Sequence, residues 1–337
     1  MKAITCTEPG KMDEITLDKP ENLANGEVLV AIKRVGICGT DIHAFGGNQP
    51  FFSYPRVLGH ELSGVVEAIS NNVENVQVGD TVTIIPYLHC GKCLACTIGK
   101  TNCCTEMQVL GVHVDGGMAE YLKVPASHVF AVNELSLDDA AMVEPLSIGA
   151  HAVRRAAIKE GETVLIIGAG PIGLGAARFA KLQGAKTIMM DISEERLQFS
   201  KEWADCDLTV TASENAIDQL KEVNNGPLPS IVMDATGNKQ SMTNAFNYVN
   251  HGGKLVYVGL VKDTITFFDP DFHAKELTLL GSRNATKEDF EYVINCLQKG
   301  QVKSSYVTNK ITFDEVNAYF QAGNFRTNKT LITVTES

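Results

Sequence analysis

The middle of the chain alternates between apolar runs and stretches with a helical pattern. Residues 163–167 are apolar at almost every position, which is typical of a strand buried on both faces. An alanine-rich helical stretch follows, and a second apolar run ends at Asp191. The alternation continues with PSIVMDATG as a strand, QSMTNAFNYVN as a helix and GGKLVYVGL as another buried strand. This order predicts an α/β fold with a doubly wound parallel sheet over residues 149–281.

The first 148 residues have a different pattern. Their apolar runs are short, among them EVLVAIKRVGIC, SGVVEAI and DTVTII, and Gly, Pro and Asn residues separate them. This pattern predicts a β-rich domain. After Gly281, two stretches with a helical pattern, Lys287–Gln298 and Asp314–Ala322, precede a final strand, KTLITV.

Composition and charge limit the class of protein. A chain of 337 residues with 44% hydrophobic and 20% charged residues is expected to form two ordinary globular domains. The net charge of −11 argues against nucleic acid and against anionic membranes as partners. No apolar run approaches the ~18 residues of a membrane-spanning helix. The N-terminus has no signal-peptide pattern, so we expect a cytoplasmic location, where thiols stay reduced.

Five of the nine cysteines lie in the segment 88–104. Their spacing is Cys90-x2-Cys93-x2-Cys96-x7-Cys104, and four thiolates at such spacing can close a tetrahedral shell around Zn²⁺. The alternative is an iron–sulfur cluster, but the bacterial ferredoxin pattern has its fourth cysteine after three residues and before a proline. We therefore predict a structural zinc lobe, with Cys103 as an alternative to Cys104 for the fourth ligand.

A glycine-rich turn follows the apolar run 163–167. It reads Gly168-x-Gly170-Pro171-Ile172-Gly173 and opens the alanine-rich helical stretch. Such a turn lets backbone N–H groups approach a pyrophosphate at the start of a helix. Asp191 comes 18 positions after Gly173, where a carboxylate would accept the ribose hydroxyls and repel a 2′-phosphate. The sequence thus predicts NAD as cofactor and favours it over NADP. Arg196 is a further predicted contact of the cofactor.

A second group of residues with metal-ligand chemistry lies in the β-rich part. It consists of Cys38, His60, Glu61 and Glu144, and Thr40, Asp41 and His43 lie next to Cys38 in the sequence. Taken singly, each of these has an ordinary structural explanation, such as a buried thiol or a carboxylate before a helix boundary. Spacing alone leaves open whether they form one site.

The motifs taken together resemble the zinc-containing medium-chain alcohol and polyol dehydrogenases. The resemblance rests on CGTDIH, GHE, the four-cysteine lobe and the glycine-rich turn, in that order along the chain. It implies a GroES-like catalytic domain formed by residues 1–148 and 282–337, with a Rossmann domain at 149–281. It also implies two zinc ions per chain, with NAD as the cofactor. The implied ligands are Cys38 and His60 with Glu61 or Glu144 for the catalytic zinc, and Cys90, Cys93, Cys96 and Cys104 for the structural zinc.

Glu144 stands where the alcohol dehydrogenases of this family have a second cysteine ligand. Sorbitol and iditol dehydrogenases carry the same replacement, so the resemblance favours a polyol-like substrate. Whether Glu61 or Glu144 contacts the metal directly stays open. Catalytic roles follow from the family's proton relay, which implies Thr40 and His43 in proton transfer beside the metal ligands Cys38 and His60.

The run VGICGTDIHAFGGNQPFFSYPRVLGHE, with GSRNAT further on, resembles the bacterial L-galactonate 5-dehydrogenases within this family. That resemblance implies a sugar acid oxidised at a secondary hydroxyl. Arg283 would then bind the substrate carboxylate, since the guanidinium group can donate two parallel hydrogen bonds to a carboxylate. Arg56, Asn48 and Tyr54 are further candidates for substrate contacts.

Two alternative functions remain at the level of sequence. One is a sorbitol- or L-iditol-type polyol dehydrogenase. The other is a non-enzymatic zinc- or nucleotide-binding protein that has kept the fold. In either enzymatic case the partner is a small molecule, and we expect a homodimer or homotetramer in which GGKLVYVGL is the edge strand of the sheet.

Overall fold

The computed structural model describes residues 1–50, 52–325 and 328–335. The chain divides into two compact units, one formed by Met1–Glu144 with Thr286–Ser337 and the other by Pro145–Ala285. The predicted α/β class, with a β-rich part and a doubly wound parallel sheet, is confirmed. The domain boundaries after residues 148 and 281 stay a prediction beside this division.

The N-terminal part is built mainly from short strands. Its elements are β1 (Lys2–Glu8), β2 (Lys11–Thr16), β3 (Glu27–Ile37), α1 (Gly39–Phe45), β4 (Arg56–Val57), β5 (Glu61–Ile69), β6 (Thr81–Ile84), β7 (Tyr87–Leu88), α2 (Leu94–Thr97), β8 (Gln108–Val109), β9 (Tyr121–Pro125), β10 (Val129–Ala131) and α3 (Leu137–Ala156).

The second unit alternates strands and helices, as the apolar pattern predicts. Its elements are β11 (Thr163–Ile167), α4 (Pro171–Leu182), β12 (Lys186–Asp191), α5 (Glu194–Ala204), β13 (Leu208–Thr211), α6 (Ala216–Val223), β14 (Ile231–Asp234), α7 (Lys239–Tyr248), β15 (Lys254–Tyr257), α8 (Asp269–Ala274) and β16 (Thr278–Gly281).

The chain then returns to the first unit. The elements there are α9 (Lys287–Gln298), β17 (Asn309–Thr312), α10 (Val316–Ala322) and β18 (Thr330–Thr333). Short 3₁₀ turns occur at Thr101–Cys103, Ala126–His128, Ser304–Tyr306 and Phe313–Glu315. The helix predicted for Asp314–Ala322 is thus a 3₁₀ turn followed by α10.

Strand β3 organises the first unit because it pairs with β5, β9 and β18. The sheet order is β10-β6-β5-β3-β18-β17, with β9 paired to β3. Alternate residues of β3, namely Val28, Val30 and Ile32, are buried on the core face, as expected for an antiparallel sheet with one covered side. The strand ends directly before Cys38, so this sheet fixes the start of the metal-ligand motif.

The second unit contains a parallel sheet in the order β13-β12-β11-β14-β15-β16. Strands β12 and β14 are buried at nearly every position, and each has an apolar run of three residues, IMM in β12 and IVM in β14. The prediction that GGKLVYVGL forms the edge is wrong, because β15 pairs with β14 and also with β16. The edge strand on this side of the sheet is β16, whose short sequence gave no pattern of its own.

Helix α3 contains Pro145 in its interior. The division between the two units falls at this residue, so one continuous helix belongs to both. Among the described residues, no helix combines the length and the apolar character that crossing a lipid bilayer requires.

Candidate active site and metal centres

The four-cysteine lobe brings its thiols together. The Sγ atoms of Cys90, Cys93, Cys96 and Cys104 all lie within 4.8 Å of one another. The Sγ–Sγ distances of the pairs Cys93–Cys96 and Cys90–Cys104 are 3.5 Å, well beyond a disulfide bond of about 2.05 Å. Four convergent, reduced thiols are the donor set of a structural zinc site, so these residues fit the ion.

The fourth position of the lobe is taken by Cys104 and not by its neighbour. Cys104 is buried, and its Sγ accepts hydrogen bonds from the backbone N–H groups of Cys90 and Glu106, each at 3.3 Å. Cys103 ends a 3₁₀ turn and its side chain is exposed. Backbone N–H donors to sulfur stabilise a thiolate, which suits Cys104 for the metal.

A second donor group forms where two segments of the β-rich unit meet. Cys38 precedes α1, His60 precedes β5 and Glu61 is the first residue of that strand. One ligand atom from each lies within 4.8 Å of the others. Glu61 pairs with Gly36 across the sheet, and a Cβ at position 36 would collide with the Glu61 carboxylate. A glycine is therefore required there for this carboxylate to lie beside Cys38.

Asp41 fixes the orientation of two of these ligands. Its carboxylate is fully buried and accepts the backbone N–H of Cys38 at 2.8 Å and that of Gly59 at 3.2 Å. His60 Nδ1 lies 3.9 Å from Asp41 Oδ1. Burial raises the pKa of Asp41, and the nearby imidazole acts against this rise. Such outer partners hold metal ligands in place, so Asp41 supports the site without being a ligand.

The Glu61 carboxylate has a buried cation as its partner. Lys329 contacts Glu61 and also donates to the carbonyl of Ile37 at 3.0 Å. Only 3% of Lys329 is exposed. Burial acts to lower the pKa of Lys329, but the nearby acidic groups, with Glu61 first among them, together outweigh burial and raise it. The contact holds the Glu61 carboxylate beside Cys38 and His60.

Glu144 lies in helix α3 and is not in the convergent group of Cys38, His60 and Glu61. The hydroxyl of Tyr87 donates a hydrogen bond to it, and both side chains are buried. Burial raises the pKa of Glu144 to about 7, with His60 acting against the rise and Glu61 adding to it. These interactions bring Glu144 into the electrostatic environment of the donor group.

Thr40 and His43 both belong to α1, which begins immediately after Cys38. Residues three apart on a helix lie on one face, so the two side chains share a side of α1. Thr40 is partly exposed and His43 is exposed. A relay toward solvent needs this order, with its outer member in contact with water.

The glycine-rich turn connects β11 to α4. Gly168 has a φ of +98°, Gly170 precedes the helix, and Pro171 starts it. A Cβ at Gly173 would collide with the carbonyl oxygen of Gly168, which explains the glycine at this position. Proline suits a first helical turn because its missing N–H has no partner there. Ile172 and Gly173 complete the first turn, which presents backbone N–H groups of the kind that bind anions.

Asp191 ends β12, beside the turn. Its carboxylate accepts the backbone N–H of Ala169 at 2.7 Å and that of Ser193 at 2.9 Å. These bonds orient the carboxylate and leave it further lone pairs. The side chain of the next residue, Ile192, is apolar yet 83% exposed. Arg196 lies in the first turn of α5, where its N–H donates to the side chain of Ser193.

The predicted substrate residues are placed differently from one another. Arg56 contacts Asp115 at 3.1 Å and Ser53 at 3.2 Å, so its guanidinium already has a carboxylate partner. The Tyr54 hydroxyl donates to the carbonyl of Ala44. Asn48 is exposed, and its backbone N–H donates to the carbonyl of His43 at 2.8 Å. Arg283 is exposed in the segment after β16.

Three residues with a place at these sites were not predicted from the sequence. Tyr87 and Lys329 hold the two carboxylates, and Ile192 exposes an apolar side chain next to Asp191. The first two lie far along the chain from their partners. Ile192 could have been noticed as an apolar residue directly after the strand-end acid.

Comparisons with known proteins agree with the motifs. Residues 24–134 match the family described as "Alcohol dehydrogenase GroES-like domain", and residues 171–299 match "Zinc-binding dehydrogenase". The L-galactonate-5-dehydrogenase of Escherichia coli K12 is 46% identical over 306 residues, which cover 90% of this chain and 88% of that protein. The sorbitol dehydrogenase of Bacillus subtilis is 34% identical over 77% of this chain and 75% of its own.

Among solved structures, the alcohol dehydrogenase RspB of Escherichia coli CFT073, complexed with NADH, superposes with a TM-score of 0.92. The two chains are 33% identical, and the match covers 99% of each. The predicted resemblance is therefore confirmed. The chain is an enzyme, and the alternative of a non-enzymatic binding protein is wrong. The chain belongs to the zinc-binding alcohol dehydrogenase family, whose members are zinc-dependent and nicotinamide-linked oxidoreductases of alcohols and polyols.

Proposed function

We propose that the chain oxidises a secondary hydroxyl of a sugar acid resembling L-galactonate, with zinc at the reaction centre and NAD as hydride acceptor. The observation that carries this proposal is the convergent group of Cys38, His60 and Glu61 beside the helix that bears Thr40 and His43. It combines metal ligands with a route for a proton, which is what alcohol oxidation requires.

Cys38 and His60 would hold the catalytic metal, with a carboxylate as a further ligand. When bound, zinc acts as a Lewis acid and lowers the pKa of an alcohol hydroxyl. Thiolate, imidazole and carboxylate donors together suit Zn²⁺. Asp41 holds Cys38 in position through its backbone N–H, and Lys329 keeps the Glu61 carboxylate in place.

Thr40 and His43 would carry the hydroxyl proton away. Thr40 follows Cys38 by two residues, and a threonine hydroxyl can accept one proton while donating another. His43 lies on the same face of α1 and is exposed, so its imidazole can exchange a proton with water. The proton therefore has a path from the buried ligands to solvent along one helix.

The second unit would bind NAD. The first turn of α4 suits the pyrophosphate, and Asp191 suits the hydroxyls of the adenosine ribose. Ile192 offers an apolar surface for adenine and Arg196 a cation near the ribose. A carboxylate at Asp191 repels a 2′-phosphate, which favours NAD over NADP.

For the substrate, similarity to the Escherichia coli L-galactonate-5-dehydrogenase supports a sugar acid. Arg283 is the proposed contact of its carboxylate, since an arginine suits a carboxylate by its two-pronged geometry. The second candidate is a sorbitol- or L-iditol-type polyol dehydrogenase, which Glu144 and the similarity to sorbitol dehydrogenase favour. The hydride-transfer chemistry is the same in both.

A pair of substrates with the same carbon chain separates these candidates. L-galactonate has a carboxylate at the position where galactitol has a terminal alcohol. The experiment measures kcat and KM for both compounds with NAD⁺, in the wild type and in Arg283→Ala. We expect the acid to be preferred and Arg283→Ala to raise KM for the acid at least about tenfold, which is ~1.4 kcal/mol. KM for galactitol should stay unchanged. Unchanged KM for both compounds would remove Arg283 from the site.

We also propose a homodimer or homotetramer that forms through β16, in the cytoplasm, where the lobe thiols stay reduced. The side chain of Leu279 in this edge strand is 40% exposed, and an exposed apolar edge strand favours pairing. Light scattering of Leu279→Lys is the test: we expect a smaller assembly than the wild type, and an unchanged mass would contradict this edge.

A further inference from the structure

Tyr87 connects two parts of the first unit that have separate roles. Its hydroxyl donates to Glu144, as described above. Its ring is buried and meets the ring of Phe290 edge-on, with centroids 6.4 Å apart and an interplanar angle of 81°. The side chain is therefore held by packing as well as by its hydrogen bond, and its hydroxyl has little freedom to leave the carboxylate.

The backbone of Tyr87 belongs to the base of the four-cysteine lobe. Strands β7 and β8 pair antiparallel, with Tyr87 opposite Val109 and Leu88 opposite Gln108. The N–H of Leu110 donates to the carbonyl of Pro86 at 3.0 Å. All four lobe cysteines lie in the loop that this strand pair closes. The lobe therefore fixes the backbone from which the Tyr87 side chain extends.

We propose that Tyr87 is a positioning residue that ties the Glu144 carboxylate to the base of the lobe, so that the folded lobe sets the position of a carboxylate at the catalytic metal site. The four-cysteine lobe then has a second role beyond stability. This inference rests on the metal sites of the proposed function. It goes beyond them by joining the two centres through one side chain.

The bond also limits how Glu144 can meet a metal. Oε1 of Glu144 accepts the Tyr87 hydroxyl, which occupies one lone pair of Oε1 and leaves Oε2 with both of its lone pairs. A carboxylate held in this way is oriented to offer Oε2 to a metal. Removing the hydroxyl would free both oxygens and let the carboxylate change its position.

The test follows the release of zinc from the holoenzyme to a chromophoric chelator. Two kinetic phases are expected, and Cys38→Ser identifies the catalytic one because it removes that phase. Tyr87→Phe deletes only the hydroxyl. Outer partners of metal ligands affect affinity by roughly 10- to 100-fold, so we expect the catalytic phase of Tyr87→Phe to be at least about tenfold faster, with the lobe phase unchanged.

The matched control is Tyr319→Phe, which deletes another hydroxyl of the same unit that bonds the hydroxyl of Thr330 at 2.8 Å. Its two release phases should equal those of the wild type. Glu144→Gln should also speed the catalytic phase. The double variant Tyr87→Phe with Glu144→Gln should be no faster than the faster single variant, because the Tyr87 hydroxyl acts only through the carboxylate that Glu144→Gln has already removed.

The role of the lobe is tested with Cys96→Ser. We expect it to speed the catalytic phase in the wild-type background but to add nothing in Tyr87→Phe. If Cys96→Ser does not fold, the test rests on the release rates of Tyr87→Phe, Glu144→Gln and the double variant that combines them. A catalytic phase of Tyr87→Phe equal to the wild type overturns the inference, as does additivity of the two single variants. A wild type that binds only lobe zinc contradicts the proposed function instead.

Discussion

The buried ammonium group of Lys329 contacts the buried carboxylate of Glu61, although the two residues are 268 positions apart in the chain. The contact joins the C-terminal segment before β18 to the first residue of β5. Because Glu61 lies beside Cys38 and His60, this ion pair connects the closing of the fold with the donor group of the catalytic site.

Lys329→Met should destabilise the protein strongly. It leaves the Glu61 carboxylate buried without its cation, and breaking a buried pair by removing one partner costs about 3–5 kcal/mol. Urea unfolding measures the change. The control is Lys310→Met, whose side chain is 58% exposed in its ion pair with Asp138, and here a loss below about 1 kcal/mol is expected. Equal losses for the two variants would contradict this account of Lys329.

Asp191→Asn should weaken the preference for NAD. One oxygen of the carboxylate becomes an amide NH₂, which cannot accept a ribose hydroxyl and no longer repels a 2′-phosphate. We expect the ratio of kcat/KM for NAD to that for NADP to fall at least about tenfold. Glu194→Gln, an exposed acid in the first turn of α5, is the control and should keep the ratio. An unchanged ratio in Asp191→Asn would remove the carboxylate from cofactor recognition.

Cys96→Ser and Cys103→Ser form a matched pair in the four-cysteine lobe. Cys96 belongs to the convergent thiol group, while Cys103 is exposed and outside it. Metal analysis should find about one zinc ion per chain in Cys96→Ser and about two in Cys103→Ser. Loss of metal in Cys103→Ser would mean that the fourth ligand has been assigned to the wrong cysteine.

Asp138 should make stability depend on acid pH. Burial acts to raise the pKa of Asp138, but Lys310 and Arg34 outweigh burial and lower it from its ordinary value of 3.8. Since the folded pKa lies below the unfolded one, the stabilisation is present above about pH 3.9 and is lost as pH falls through the folded pKa. Asp138→Asn should therefore be less stable than the wild type at pH 7, and the difference should shrink as pH falls through the lowered pKa of Asp138.

Urea unfolding of Asp138→Asn and the wild type across this pH range is the measurement. Arg34→Gln removes the donor that bonds Asp138 at 2.9 Å, so its deficit should shrink with falling pH in the same way. A deficit of Asp138→Asn that stays constant over the whole acid range would mean that the lost contact is not the titrating carboxylate.

Local patterns in the sequence predicted the elements that depend on them. Strand β11 and helix α9 have the bounds that the apolar pattern gives, because a buried strand and an amphipathic helix each leave a periodic signature. The cysteine spacing likewise predicted a lobe whose thiols converge. Helix α3 was missed within the β-rich part, because Pro145 reads as a helix boundary although it lies inside the helix.

Contacts between distant residues left no such signature. Tyr87 and Glu144 are 57 positions apart, and nothing around either residue indicates the other. The edge strand was wrongly predicted because strand order in a parallel sheet is set by the crossover helices and not by the strands' own patterns. Arg56 was predicted as a substrate contact because the sequence does not indicate its partner Asp115, which lies 59 positions further along the chain.

The most direct test of the proposed reaction follows nicotinamide absorbance with purified, zinc-loaded protein and NAD⁺. L-galactonate and sorbitol are offered side by side at equal concentration. The account predicts NADH formation with both metal sites filled, and a kcat/KM for the acid at least about tenfold above that for the polyol. A preference for sorbitol would contradict the sugar acid, and no NADH formation with either compound would contradict the proposed activity on sugar acids and polyols.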